Sequence, residues 1–135
     1  MSKENQAKVM LVGRILMGLL FVVAAWSKSG RFDGSVAYMA KNGVPMAELM
    51  LYAALILEFV GGALLILGWK TRWTAIILAI FVAVITPIFH GFWAFEPAQM
   101  TGQLNHFLKN ISIVGGLLYI FAHGAGSKSI DGDKS

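Results

Sequence analysis

The chain has 135 residues, of which 57% are hydrophobic and 13% are charged. Soluble domains usually carry about 25% charged residues, so this composition favours a single domain that is dissolved in lipid. The net charge is +4, but the lysines and arginines are scattered along the chain. Because no basic block and no basic stretch interleaved with aromatic residues is present, we expect no nucleic-acid partner.

Cysteine is absent from the sequence. Disulfides, thiol nucleophiles and cysteine-ligated zinc or iron–sulfur centres are therefore excluded. Any redox role must use a bound cofactor or a partner protein. Four-helix membrane proteins that exchange disulfides with quinones are excluded for the same reason.

Four apolar stretches come close to the length of about 20 residues that crosses a bilayer core. They cover residues 9–26, 47–68, 72–90 and 107–123. The first is not a cleaved signal peptide, because it contains Arg14 and ends in Trp26 instead of a small-residue cleavage site. The sequence predicts an all-α membrane protein, a four-transmembrane-helix antiparallel bundle. Residues 9–123 form this domain, between a polar N-terminal tail (1–8) and a polar C-terminal tail (124–135).

The ends of the spans are marked by tryptophan and by charge. All four tryptophans lie at or just beyond predicted span ends, where aromatic belts meet the headgroups: Trp26, Trp69, Trp73 and Trp93. Lysine and arginine are more numerous on the side of the termini, with Lys3, Lys8, Lys70, Arg72, Lys128 and Lys134 there and Lys28, Arg31 and Lys41 opposite. This asymmetry predicts that both termini are cytoplasmic.

The first loop between spans is long enough to fold. Asp33 or Ser35 can cap a short helix, and Gly43 and Pro45 would end it. Its apolar residues recur at helical spacing, so we expect a short interfacial helix on the mouth of the bundle.

Small residues mark the faces on which the spans are predicted to pack. Gly61–Gly62 in the second span and Gly115–Gly116 in the fourth would let helix backbones approach closely. Gly13 and Gly18 are candidates for the same role in the first span. These positions predict assembly of the bundle and carry no chemistry.

Two ionisable residues lie deep inside the apolar spans. Ionisable groups there are costly and usually face the bundle interior in pairs. At about 1.5 Å of rise per residue, Glu58 lies near the centre of its span and Arg14 roughly 6 Å from the centre of the first. We therefore predict an Arg14–Glu58 ion pair. Glu58 is then either a structural clamp or a proton site.

A second polar group is expected at the outer end of the bundle. His90 ends the third span, and His106 and Lys109 share one face where the fourth span begins. With Lys28 they would form a polar vestibule above Glu58. The alternative for Lys28 and Lys109 is that they extend to the headgroups. Two histidines without a suitably spaced carboxylate are a weak metal site, so no metal is expected.

Several segments resemble the DoxX family of small bacterial membrane proteins. They are GRILMGLLFVVAAWSKSGRFDG, YMAKNGVP, LEFVGGALLILGWKTR, His90, LKNISIVGGLL and GAGSKSID, and the resemblance covers about residues 9–131. It implies a four-helix bundle in the bacterial cytoplasmic (inner) membrane. The family name comes from a subunit of a thiosulfate:quinone oxidoreductase, and related members are linked to redox or oxidative-stress partners. The positions that match the family pattern are Arg14, Lys28, Glu58, Arg72, His90, Lys109 and Asn110.

The first hypothesis is a protein that binds a quinone or similar lipophilic ligand as a small subunit of a membrane redox system. Its candidate ligand-binding residues are His90, Lys109, His106, Lys28 and Glu58. We expect an accessory subunit instead of a stand-alone enzyme, assembled as a homo-oligomer or with membrane redox partners. One alternative is a non-catalytic scaffold or assembly factor for other membrane proteins. The other is a small proton-coupled transporter that uses Glu58.

Overall fold

The computed structural model describes residues 1–134, whose regular elements are all helical. The α-helices are α1 (Lys3–Gly30), α2 (Phe32–Lys41), α3 (Ala47–Leu67), α4 (Thr71–His90) and α5 (Pro97–His123). Single 3₁₀ turns lie at Phe92–Ala94 and Gly132–Lys134. Helices α1, α3, α4 and α5 form the predicted bundle. Ser135, the last residue of the predicted polar tail, lies outside the described residues.

The surface of the bundle is suited to lipid. Helices α1, α3 and α4 are long and apolar enough to cross a membrane. Helix α5 is also long, but His106, Lys109 and Asn110 reduce its apolar character. Large apolar side chains are exposed while Arg14 and Glu58 are buried, the inverse of a soluble protein. The prediction of an all-α membrane bundle is confirmed.

Glycines fix how the helices pack. Helix α1 packs mainly on α3, and α4 mainly on α5. Gly18 and Gly62 meet where α1 crosses α3, and a Cβ added to either would strike the backbone carbonyl of the other. Gly61 faces α4, where a Cβ would come within 3.0 Å of the Leu78 side chain. The prediction was wrong for Gly13 and Gly115, which have no atom of another element near the place of a Cβ.

Helix α2 is the predicted short helix of the first loop. Its inner face packs on a small cluster of α1 and α3 side chains, with Phe32, Val36 and Met39 set against Ala25, Leu51 and Leu55. The predicted cap was wrong, because Arg31 occupies the N-cap position without a side-chain hydrogen bond. The Ser35 hydroxyl instead donates to the Lys28 carbonyl. Helix α2 therefore closes one end of the bundle, here called the α2 end. The opposite end, with the α3–α4 turn, is the turn end.

The segment after α5 folds back over the turn end, and residues 124–131 are here called the clasp. Backbone N–H groups of Ile130 and Asp131 donate to carbonyls at the end of α3, at 3.2 and 2.8 Å. The Asp131 carboxylate accepts from the N–H groups of Lys70 and Thr71, at 2.9 and 2.8 Å. These two groups lack partners within α4 because they stand at its start. The clasp thus caps one helix and pairs with the end of another.

Arg14 holds the clasp from inside the bundle and is only 1% exposed. Its guanidinium donates to the carbonyls of Leu65 and Ile66 at the end of α3, at 2.7 and 3.0 Å. It also donates to the clasp carbonyls of Ala125 and Lys128, at 3.0 and 2.6 Å. One planar side chain therefore joins α1, α3 and the clasp.

Acid is expected to loosen the clasp at Asp131. Partial burial raises the pKa of Asp131. The N–H groups of Thr71 and Lys70 and the Lys70 charge lower this pKa by more than burial raises it, so the pKa lies below its usual value of 3.8. A group with a depressed folded pKa stabilises fully above its unfolded pKa, about 4. That stabilisation is lost as the pH falls through the folded pKa. Hydrogen exchange at residues 70 and 71, corrected for intrinsic rates, should therefore accelerate below about pH 4.

The control for this pH effect is a carboxylate at the other end of the bundle. Asp131→Asn should remove the acid dependence of exchange at residues 70 and 71, whereas Asp33→Asn should keep it. Equal acid dependence in wild type and Asp131→Asn would show that another group controls the clasp.

Candidate functional site

A cavity of about 880 Å³ lies between the helices at the α2 end. All five α-helices contribute to its wall, which is mainly apolar and includes Phe21, Leu51, Leu57, Phe81, Val82 and Ile85. Among the polar residues of the wall are Lys28, Glu58, His90 and Asn110. Pockets for small molecules usually have volumes of about 300–1,000 Å³ and combine an apolar wall with a few polar groups. The cavity matches that description.

A charged pair forms part of this wall. Lys28 Nζ lies 2.5 Å from Glu58 Oε1. Glu58 is 3% exposed, whereas 37% of the Lys28 side chain is accessible. The second carboxylate oxygen, Glu58 Oε2, is buried and accepts no hydrogen bond from any residue in the described range 1–134. The carboxylate is therefore only half satisfied by the protein.

The predicted Arg14–Glu58 ion pair was wrong, because each residue has other partners. The Gly18–Gly62 crossing sets the register of the antiparallel helices α1 and α3. In that register Arg14 and Glu58 lie on opposite sides of the crossing, about eight residues or roughly 12 Å apart along the axis. Side chains also tilt toward the N-terminus of their own helix, so Arg14 extends toward the turn end and Glu58 toward the α2 end. Lys28 tilts toward Glu58 and reaches it.

Two histidines meet beside the cavity, as the sequence predicted. The rings of His90 and His106 stack with centroids 5.0 Å apart. His90 Nδ1 lies 2.8 Å from Gln103 Oε1. An amide oxygen can only accept, so His90 Nδ1 donates and its Nε2 remains an acceptor in the neutral ring. Of the two histidines, His90 lines the cavity.

Lys109 does not lie where the sequence predicted. Its side chain is exposed, and it is not part of the cavity wall. The next residue, Asn110, lines the cavity instead, because successive helical residues point about 100° apart. The apolar spans alone do not show this rotation of α5. Binding of a ligand by Lys28, Glu58, His90, His106 or Lys109 stays a prediction.

An aromatic pair at the mouth of the cavity was not predicted. Tyr38 of α2 stacks on Phe89 of α4, with ring centroids 5.4 Å apart, and both residues line the cavity. The sequence signal was available, since Tyr38 lies in the amphipathic loop helix and Phe89 precedes His90. Helix α2 is thereby joined to the far wall of the cavity.

Comparison with known proteins identifies relatives over most of the chain. Residues 9–91 match the DoxX family model. The chain is 38% identical over 121 residues to the inner membrane protein YqjF of Escherichia coli (strain K12), covering 90% of this chain and 88% of that protein. It is 32% identical over 123 residues to the inner membrane protein YphA of the same organism, covering 91% and 88%.

A more distant similarity reaches a eukaryotic protein. The chain is 26% identical over 135 residues to the ER-derived vesicles protein ERV29 of Saccharomyces cerevisiae, covering 98% of this chain and 36% of that protein. No solved structure matches the chain.

Proposed function

This chain belongs to the DoxX family of membrane proteins, and on that premise we propose that it holds a lipophilic ligand, in the first instance a quinone, inside its bundle. The main support is the cavity at the α2 end, which has an apolar wall and an ion pair between the buried Glu58 and the partly accessible Lys28. Ionisable side chains at membrane depth are expensive, and they usually mark functional sites. The pair therefore fits the polar end of a ligand site.

The polar residues of the wall have complementary abilities. Lys28 and the Asn110 amide can donate hydrogen bonds to carbonyl oxygens, and His90 Nε2 can accept one from a hydroxyl group. Glu58 can accept a proton or a hydrogen bond. Apolar side chains around them would contact the ring and chain of a quinone. Such a site binds and orients a ligand without requiring catalysis by this chain.

The setting that we propose for this activity is the bacterial inner membrane, with both termini cytoplasmic. The similarity to two inner membrane proteins supports the compartment, and the distribution of lysine and arginine supports the orientation. In this setting the chain would serve a membrane oxidoreductase as an accessory subunit, with partner subunits or further copies of itself.

Partly filling the cavity is expected to weaken ligand binding. Ala54 lines the cavity, whereas Ala63 is exposed on the same helix and turned about 180° away. Ala54→Trp should weaken binding of a short-chain ubiquinone at least about tenfold, because the indole occupies the space of the ligand. Ala63→Trp should bind like wild type. Ligand-dependent melting temperatures in mild detergent measure both variants.

Native mass spectrometry of protein purified without harsh delipidation gives an independent readout. A bound lipophilic molecule should accompany wild type and Ala63→Trp but not Ala54→Trp. If no quinone shifts the melting temperature and no lipophile co-purifies, the proposal fails. The scaffold or assembly-factor hypothesis would then be the one to pursue.

A further inference from the structure

Glu58 lines the cavity, and of its two carboxylate oxygens one is satisfied while the other is buried without a donor. Oε1 accepts from Lys28 Nζ, while no donor to Oε2 is found anywhere in residues 1–134. The contact between Lys28 Nζ and Glu58 Oε1 is a salt bridge, and a carboxylate in a salt bridge can only accept hydrogen bonds. An ionised oxygen without a donor in apolar surroundings costs free energy. An occupant of the cavity that supplies a donor therefore removes this cost.

Lys28 offers the complementary group. Its ammonium carries three N–H donors, and the structure shows one of them bound to Glu58. Its side chain also lines the cavity. The pair thus places an acceptor that lacks a donor beside further donors. A hydroxyl group suits both, because its hydrogen donates and its oxygen accepts. A carbonyl suits Lys28 alone and leaves Oε2 unsatisfied.

We propose that the cavity selects lipophilic molecules whose polar head carries a hydroxyl group, which donates to Glu58 Oε2 and accepts from Lys28. The inference rests on the proposed function, because it requires that the cavity holds a lipophilic ligand. Oε2 is buried, but the terminal torsion of a glutamate is broad, so rotation about it can bring Oε2 to an occupant of the cavity. Within the quinone class, the dihydroxy (reduced) form is bound in preference to the dicarbonyl (oxidised) form.

Two matched ligand pairs test this selection in the full-length protein. The first is decylubiquinol against decylubiquinone under anaerobic conditions, and the second is a redox-inert pair, para-dodecylphenol against its methyl ether. We expect the hydroxyl member of each pair to bind about tenfold more tightly to wild type, which corresponds to about 1.4 kcal/mol. The two pairs separate recognition of a quinol from recognition of any lipophilic hydroxyl.

A substitution assigns the preference to one carboxylate. Glu58→Gln should remove the preference, because an amide N–H can donate to the carbonyl of the quinone. Glu48→Gln is the matched control, since Glu48 is exposed on the same helix and is not part of the cavity wall. It should keep the wild-type preference. If Glu58→Gln does not fold, the affinities of wild type for the two ligand pairs still show whether the cavity prefers the ligand that carries a hydroxyl group.

The outcomes separate this inference from the proposed function. Equal affinities within both pairs overturn the inference and leave the proposed function standing. A preference that persists in folded Glu58→Gln also overturns it, since the hydroxyl would be recognised elsewhere. If none of the four molecules binds, the proposed function fails and the inference fails with it.

Discussion

Arg14→Met should destabilise the protein by about 4 kcal/mol, because four carbonyl groups, two buried and two partly buried, lose a charged donor at once. Two of these carbonyls end α3 and two belong to the clasp. The clasp should therefore detach, and trypsin should cut after Lys128 in the variant under conditions that spare wild type. Thermal unfolding in mild detergent measures the loss of stability.

The control variants for Arg14 distinguish geometry from charge. Arg14→Lys should recover little, because an ammonium cannot match the planar fork that reaches α3 and the clasp together. Arg31→Met should leave stability near wild type, since Arg31 is exposed and its guanidinium donates to the Ser27 hydroxyl only four residues earlier. A wild-type melting temperature for Arg14→Met would contradict the role given to the guanidinium.

Lys28→Met should cost about 3 kcal/mol, because it leaves the Glu58 carboxylate buried and unpaired. This loss of stability is at the low end of the roughly 3–5 kcal/mol that breaking a buried ion pair costs, because Lys28 is partly accessible. Replacing both partners, as Lys28→Met with Glu58→Met, should restore most of the stability, because an apolar pair of similar volume needs no hydrogen bonds. Thermal unfolding of the two single variants and the double variant measures this coupling.

The matched control for Lys28 is Lys109→Met on α5, where the side chain is exposed. It should leave stability near wild type. Strictly additive losses in the Lys28 and Glu58 cycle would show that the two residues do not interact. A stable double variant that no longer binds a lipophilic ligand would instead show that Lys28 and Glu58 serve ligand binding and are not needed as a structural clamp. That result would answer what the sequence left open for Glu58.

Sequence patterns predicted the elements of this fold better than their relative positions. Apolar runs indicated the four long helices, and the periodicity of the first loop indicated α2. Gly18 and Gly62 were recognised as small enough to pack, but nothing local showed that they pack on each other. That one contact sets the register of α1 and α3, and the register decides that Lys28, not Arg14, reaches Glu58.

The candidate site was predicted in part for the same physical reason. The approach of His90 to His106 follows from helix ends that stand at the same level. Asn110 lines the cavity where Lys109 was predicted to do so. Which of the two residues faces the cavity depends on the rotation of α5 about its axis, which is set by the packing of α5 on α4. The clasp was not predicted at all, because residues 124–131 have no apolar periodicity and their partners lie far away in the sequence.

The clasp also has a consequence for the order in which the protein is made. Arg14 leaves the ribosome before its acceptors in the clasp, because Ala125 and Lys128 follow 111 and 114 residues later in the chain. Until then α1 carries a guanidinium with an incomplete set of partners, which is costly at membrane depth. The guanidinium is therefore fully satisfied only after the clasp has been made and has folded back. Completion of the α1–α3 contact at the turn end thus depends on the polar residues of the clasp.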